Sequence, residues 1–215
     1  MQRRDPQSLP IGQQHGVSLM ARIVSSGRRI SRLERKFVSL AKRYTAIPPL
    51  PNDGQIIHYQ TDAMKTAGVV WQFRYNSETG GSYPWEFVGG GTMEDSTGLS
   101  ASFETTTSVT YTDLATVGPS LDIPLDGQYL ITTYANMLSS AAGTLIYAAV
   151  DPGGGASDIN ATIFTGNTQA VSNSSTALLV VTAGTTVRMK YRVAAGTGSY
   201  RHRRMTIVPI RVRLS

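Results

Sequence analysis

The 215-residue sequence has no cysteine, which excludes disulfides and thiolate metal sites as sources of stability. No apolar run approaches the ~18–20 residues that a membrane-spanning helix needs. The basic N-terminus is not followed by a hydrophobic segment, so no secretory signal is expected. Charged residues make up only 16% of the chain, below the about 25% of an average soluble protein. Glycine, threonine and serine are plentiful instead, which favours a body rich in strands and turns.

The charges that are present are distributed unevenly along the chain. Residues 1–45 carry ten Lys/Arg against two acids, residues 46–150 carry two against ten, and residues 151–215 carry eight against two. An acidic middle between basic ends can serve contacts between subunits, although such blocks are more often solvated faces.

A helix is predicted over residues 18–46, after an N-terminal arm (residues 1–17) without periodicity. Large apolar side chains recur along it with the spacing of a coiled-coil seam: Leu19, Ile23, Ile30, Leu33, Phe37, Leu40 and Tyr44. This stripe is narrow and basic residues flank it, so it needs identical copies or another partner to be buried. An oligomeric coiled coil is favoured, and a single helix that packs on its own domain is the alternative.

A proline-rich linker (residues 47–54) should end this helix, because three prolines in four positions cannot continue it. A small β subdomain is then predicted over residues 55–91, with strands at 55–60, 69–75 and 85–88 rich in β-branched and aromatic residues. Gly89-Gly90-Gly91 lacks the lysine of a phosphate-binding loop, and we expect it to be a hinge.

The remainder, residues 92–215, has an all-β pattern. Period-two alternation is clearest in 129–134 and 187–193. Eight short strands about a dozen residues apart predict a jelly-roll β-sandwich, at residues 101–107, 121–123, 127–136, 143–150, 160–165, 177–181, 185–194 and 205–212. The predicted fold class is therefore mainly β, with one N-terminal helix, a small β-meander and a C-terminal sandwich.

Three central strings resemble virion proteins of tailed bacteriophages: Pro48-Pro49-Leu50-Pro51-Asn52-Asp53-Gly54-Gln55, Val70-Trp71-Gln72-Phe73-Arg74-Tyr75 and Trp85-Glu86-Phe87-Val88-Gly89-Gly90. In that family such strings follow a short basic helix. Residues 124–131 and 183–191 are similar to C1q/TNF-like jelly rolls at phage fibre tips, with 204–212 as the closing strand. The resemblance covers roughly residues 48–215. It implies a virion structural protein of the tail-fibre, minor tail or head-fibre type.

No motif for catalysis, a cofactor or a metal is found. The closest acid groups, Glu94-Asp95 and Asp151/Asp158, lie outside any ligand loop or hydrolase pattern. The basic helix could contact nucleic acid, but a solvated coil face or docking on an acidic virion surface is favoured. Arg201, His202 and Arg203 are candidates for contact with an anionic host-surface glycan, and a solvated loop is the alternative.

The sequence therefore predicts a non-enzymatic virion protein, assembled in the host cytoplasm without cofactors. Its expected form is a homotrimer, a tail-fibre or minor tail protein whose jelly-roll head adheres to the host surface. A capsid decoration or head-fibre protein of the same architecture, fixed to capsomers by its N-terminus, is the alternative. The expected partners are copies of itself, other virion proteins bound through the N-terminal arm and helix, and a host glycan. Neither nucleic acid nor membrane is expected as a partner.

Overall fold

The computed structural model describes residues 43–44, 46–49, 51–79, 81–99, 102–166 and 169–213. The predicted arm and six of the seven coiled-coil positions lie outside these residues: Leu19, Ile23, Ile30, Leu33, Phe37 and Leu40. The strands of the described part are, in chain order, β1 (Arg43–Tyr44), β2 (Ile56–Tyr59), β3 (Trp71–Tyr75), β4 (Trp85–Gly90), β5 (Met93–Thr97), β6 (Glu104–Thr106), β7 (Ser120–Asp122), β8 (Gly127–Ser139), β9 (Leu145–Asp151), β10 (Ala161–Thr165), β11 (Val171–Val181), β12 (Thr186–Val193) and β13 (Gly198–Val212).

Within the described residues these strands form two sheets. The large sheet has the order β1-β2-β3-β4-β13-β8-β11, and β5 and β6 also pair with β13. The small sheet has the order β10-β9-β12-β7. All pairs are antiparallel except β1 with β2. The chain is thus mainly β, as predicted.

The strand pairs are nested along the sequence, as in a jelly roll. Strand β5 pairs with β13, β7 with β12, β8 with β11, and β9 with β10. Each of these pairs lies, along the sequence, between the two members of the pair named before it. Successive pairs alternate between the large and the small sheet. This order confirms the predicted jelly-roll sandwich.

The core lies between the two sheets. Alternate side chains of β8, β12 and β13 point inwards and are fully buried, as period-two alternation predicts. The rings of Tyr191 in β12 and Tyr200 in β13 lie 4.9 Å apart across the interface, and the hydroxyls of Thr133 and Thr162 are 3.1 Å apart. Each large apolar side chain buried here stabilises the fold by about 1.5–3 kcal/mol.

Residues 55–91 extend the large sheet. The start of strand β4 pairs with the C-terminal end of β13. The rings of Trp71 and Tyr129 lie 6.3 Å apart. Trp71 and Trp85 are both buried. The two regions predicted as separate domains, 55–91 and 92–215, share this sheet and this core, and Arg43–Ser215 forms one compact unit.

The chain before β2 corrects the predicted end of the helix. Tyr44 was assigned to the coiled-coil seam, but it lies in strand β1, where it pairs with Tyr59 and packs against the core. Pairing with β2 satisfies the backbone of this segment, and the partly buried ring packs against the core, which a helix continued to residue 46 would not allow. Ile47 in the predicted linker is also buried. At the other end of the linker, Asp53 accepts hydrogen bonds from the backbone N–H and the hydroxyl of Ser77, just after β3. Both ends of the linker are therefore held against the folded body.

A short helix, α1 (Asp62–Thr66), connects β2 to β3 and was not predicted. Thr61 caps it by accepting a hydrogen bond from the Met64 N–H at 3.2 Å. The side chain of Met64 is fully buried, which holds the helix against the sheet. No helix of the described residues is long and apolar enough to cross a membrane.

The predicted glycine hinge is wrong. Gly89 and Gly90 belong to β4 and pair with Gln72 and Trp71 of β3. Gly90 has a φ of 128°, and a Cβ at this position would overlap the carbonyl oxygen of Val70. Glycine is therefore needed for close contact between two strands rather than for mobility.

We predict that Gly90→Ala lowers the free energy of unfolding by about 2–4 kcal/mol, because it combines a disfavoured φ with a backbone overlap. Gly154→Ala is the matched control, since nothing lies within 4 Å of a Cβ there. Urea unfolding monitored by tryptophan fluorescence measures both variants. Equal stability of the two variants would contradict this role of Gly90.

Candidate self-association face and basic bulge

Paired side chains of the chain itself cover part of the outer face of the small sheet. Lys190 forms an ion pair with Asp113 at 2.6 Å, and Arg192 forms one with Asp158, also at 2.6 Å. The Arg192 guanidinium lies 3.6 Å from the centre of the Tyr147 ring, and that tyrosine is only 6% exposed. Hydrogen bonding from Arg192 holds the pKa of Asp158 below its usual range.

The outer face of the large sheet presents a larger group of apolar side chains to solvent. Leu130 of β8 is paired with Leu178 of β11 on one side and with Val208 of β13 on the other. Leu130 is 38% exposed, Leu178 61% and Val180 63%, and Val208 is half-buried. These four residues are adjacent on three neighbouring strands, and we call them the apolar patch.

The apolar patch extends to β11, which is an edge strand within the described residues. An edge strand of 11 residues with exposed leucine and valine is a ready surface for association. Threonine hydroxyls continue the same face, with Thr132 and Thr176 2.8 Å apart. The sequence analysis missed this surface because it placed only residues 177–181 in the strand. Residues 172–176 are all polar and show no period-two alternation, so the sequence carries no signal for the first half of this strand.

The predicted basic cluster lies in β13, where the pairing with β8 is interrupted between Arg201 and Arg204. His202 sits at this bulge with a φ of 48°, in the left-handed region that non-glycine residues rarely adopt. Its backbone N–H donates to the carbonyl oxygen of Gly98 at 2.8 Å. The neighbouring side chains at the bulge therefore differ in exposure: Arg203 is buried and Arg204 is exposed.

Arg203 was predicted to contact a host surface, and the structure corrects this. Its side chain is fully buried, 3.1 Å from Glu104 and 3.1 Å from the carbonyl oxygen of Thr116, to which it donates. Its guanidinium also lies 5.5 Å from the Tyr191 ring centre. Burial opposes ionisation of Glu104, but hydrogen bonds from Thr116 and the charge of Arg203 outweigh it and lower its pKa. Arg203 joins β6, the loop before β7 and β13.

Arg201 and His202, the other predicted contact residues, are both half-buried. The Arg201 Nε donates to Asn136 at 2.7 Å, and the guanidinium lies 4.3 Å from the centre of the Phe103 ring. His202 instead lines a groove of about 310 Å³, together with Leu99, Tyr134 and Arg204. Arg204 is therefore the exposed residue of the basic cluster, and half-buried His202 lies beside it at the groove.

The carboxylates considered in the sequence analysis have structural partners. Glu94 contacts Arg204 at 3.0 Å, and Asp95 accepts hydrogen bonds from the N–H groups of Ser96 and Ser120. Asp151 accepts from two glycines of its own loop. Within the residues that the structure describes, no three His, Asp or Glu side chains are grouped to hold a metal ion.

We predict that Arg203→Met lowers the free energy of unfolding by about 2–4 kcal/mol, because Glu104 and the Thr116 carbonyl lose a buried partner. Arg204→Met, one residue away, should change it by about 0.5 kcal/mol or less, since the Arg204 side chain is 56% exposed. Urea unfolding at one fixed protein concentration gives both values. Similar losses in the two variants would show that Arg203 has no special structural role.

Comparisons with known proteins complete the description of the fold. No family model matches the sequence, and no curated protein matches it significantly. Among solved structures, Eiger TNF from S. frugiperda is 15% identical over 58% of this chain and 96% of that chain, with a TM-score of 0.41. The globular domain of zebrafish complement 1qA is 11% identical (57% and 98% coverage, TM-score 0.34). Murine APRIL is 12% identical (73% and 94% coverage, TM-score 0.30). The jelly-roll assignment rests on the strand pairing given above.

Proposed function

We propose that this chain is a homotrimeric structural protein of a bacteriophage virion, a tail-fibre or minor tail protein. Its N-terminal arm and helix attach it to other virion proteins, and its jelly-roll head adheres to the host surface. The apolar patch on the outer face of the large sheet supports self-association, and the resemblance of the three central strings to phage virion proteins supports the place in a virion. In this proposal the protein performs no catalysis and needs no cofactor.

The apolar patch favours identical copies as its partner. Leucine and valine side chains exposed to this extent are stabilised when another surface removes them from water, by about 25 cal/mol for each Å² of apolar area. On the small sheet Arg192 covers Tyr147, although Ile163 beside it is 43% exposed. A surface left apolar in a cysteine-free sandwich fits permanent assembly better than transient binding.

Three copies are proposed for two reasons. A rotationally symmetric ring closes when one face of each copy contacts a different face of the next, and a wide sheet beside an exposed edge strand supplies two such faces. In the predicted coiled coil, Phe37 at an a position would crowd a two-stranded seam. Three heads on one stem would also increase the overall affinity for the host, because the first weak contact raises the effective concentration for the others. This is the proposed mechanism of adhesion.

We predict that Leu178→Asp weakens self-association by more than about tenfold, because each copy then buries a charge instead of a leucine. Val109→Asp is the matched control, since Val109 is 62% exposed and Leu178 61%. Both substitutions are made in a full chain that also carries Ile30→Asp and Leu33→Asp, so that the predicted coil does not mask the effect. Mass photometry over a concentration series gives the dissociation constants.

Loss of the assembly in Leu178→Asp but not in Val109→Asp would support the sheet face as the contact. If both variants dissociate alike, or neither differs from the background chain, the apolar patch does not hold copies together. Circular dichroism confirms that each variant is folded before the masses are compared.

The place of the protein in a particle is tested by cryo-electron microscopy of purified virions that encode it. We expect trimeric density for the head on the tail. Density at capsomer centres would replace the tail assignment with the capsid decoration or head-fibre alternative, and absence of the protein from purified particles would contradict the virion proposal as a whole.

A further inference from the structure

A residue with a strained backbone conformation, His202, lines an open groove. His202 is the one non-glycine residue with a positive φ among the described residues. A backbone conformation of this kind costs free energy, and such residues are concentrated at functional sites. Glycine is frequent elsewhere in this chain at positive φ. The backbone conformation at this position would favour glycine, so the presence of histidine indicates a role for its side chain.

The surrounding contacts hold the groove in one shape. Beneath the bulge, Arg203 is fixed by Glu104 and Thr116. Beside it, the Tyr134 hydroxyl donates to Ser172 at 2.8 Å, which orients the ring. The Tyr134 ring of the groove and the support beneath the bulge are thus positioned before a ligand arrives, which reduces the entropy lost on binding.

The lining combines positive charge with apolar surface. Arg204 remains 56% exposed although Glu94 contacts its Nε at 3.0 Å, and His202 is half-buried beside it. Leu99 and the Tyr134 ring supply the apolar part of the lining. A guanidinium and an imidazole recognise a carboxylate, while an aromatic ring and an aliphatic side chain recognise the C–H face of a sugar.

We propose that this groove binds one acidic sugar residue of a host-surface polysaccharide, with its carboxylate at Arg204 and His202 and its ring against Tyr134. The groove of about 310 Å³ is at the small end of ligand sites, which suits a single sugar. The physiological meaning of this inference rests on the proposed function, because adhesion is what supplies a polysaccharide as ligand. The groove lies on the same face as the apolar patch, with Tyr134 four residues after Leu130 in β8 and Arg204 four residues before Val208 in β13, and the proposed trimer would carry three such grooves.

Isothermal titration calorimetry on the full chain tests the site with four probes: galacturonate, an oligogalacturonate, a neutral malto-oligosaccharide of equal length, and polyglutamate. We expect the oligogalacturonate to bind with a larger affinity than galacturonate, since neighbouring grooves can hold one polymer. The neutral sugar should bind at least tenfold more weakly, because it lacks the charge. Equal binding of the neutral sugar would overturn the proposal.

Two variants test the residues. Arg204→Gln and His202→Gly should each weaken oligogalacturonate binding by at least about tenfold. His202→Gly is informative because glycine adopts the left-handed conformation freely, so its unfolding temperature should not fall. Arg188→Gln, an exposed arginine of the small sheet, is the control with the same change in charge and should bind like the unaltered chain. Equal losses in all three variants, or polyglutamate binding as tightly as the sugar polymer, would show only general attraction to a basic protein.

The outcomes separate this inference from the proposed function. A chain that assembles through the apolar patch but does not bind the acidic polymer contradicts the groove alone. A chain that binds the polymer through His202 and Arg204 but remains a monomer retains the groove and contradicts the proposed function.

Discussion

The hydrogen bonding of β13 is the constraint on which the rest of the structure depends. This 15-residue strand pairs with β8 along one edge and with β6, β5 and β4 in succession along the other. It therefore closes the jelly roll and joins residues 55–91 to the sandwich. The bulge at His202 interrupts the pairing with β8, and next to it buried Arg203 contacts Glu104 and Thr116 from two other segments.

The same strand connects structure to proposed function. Its outward side chains alternate with buried ones, so Val208 joins the apolar patch while Met205 and Ile207 belong to the core. Further along, the bulge directs His202 into the groove. The proposed surface for identical copies and the proposed sugar groove thus share one strand, and mutation of its buried residues should disturb both together.

Several parts of the fold could be predicted from the sequence because period-two alternation and turn residues are local signals. The jelly roll and the strands around Trp71 and Trp85 were found in this way. Buried Arg203 could not be predicted, because its partners Glu104 and Thr116 are about a hundred residues away along the chain. Tyr44 was assigned to the helix because its spacing fits, whereas a parallel contact with Tyr59 determines its place. Gly90 was taken for a hinge because sequence alone does not show that Val70 approaches it.

The central claim, that identical copies cover the apolar patch, is tested most directly by chemical protection. The chain has no cysteine, so Leu178→Cys and Val109→Cys each introduce one thiol at sites of matched exposure, 61% and 62%. In the native full chain, a bulky maleimide should label Cys at 109 rapidly and Cys at 178 many times more slowly, with equal rates after unfolding in urea. Equal rates in the native protein would contradict the account, because they would leave Leu178 in water.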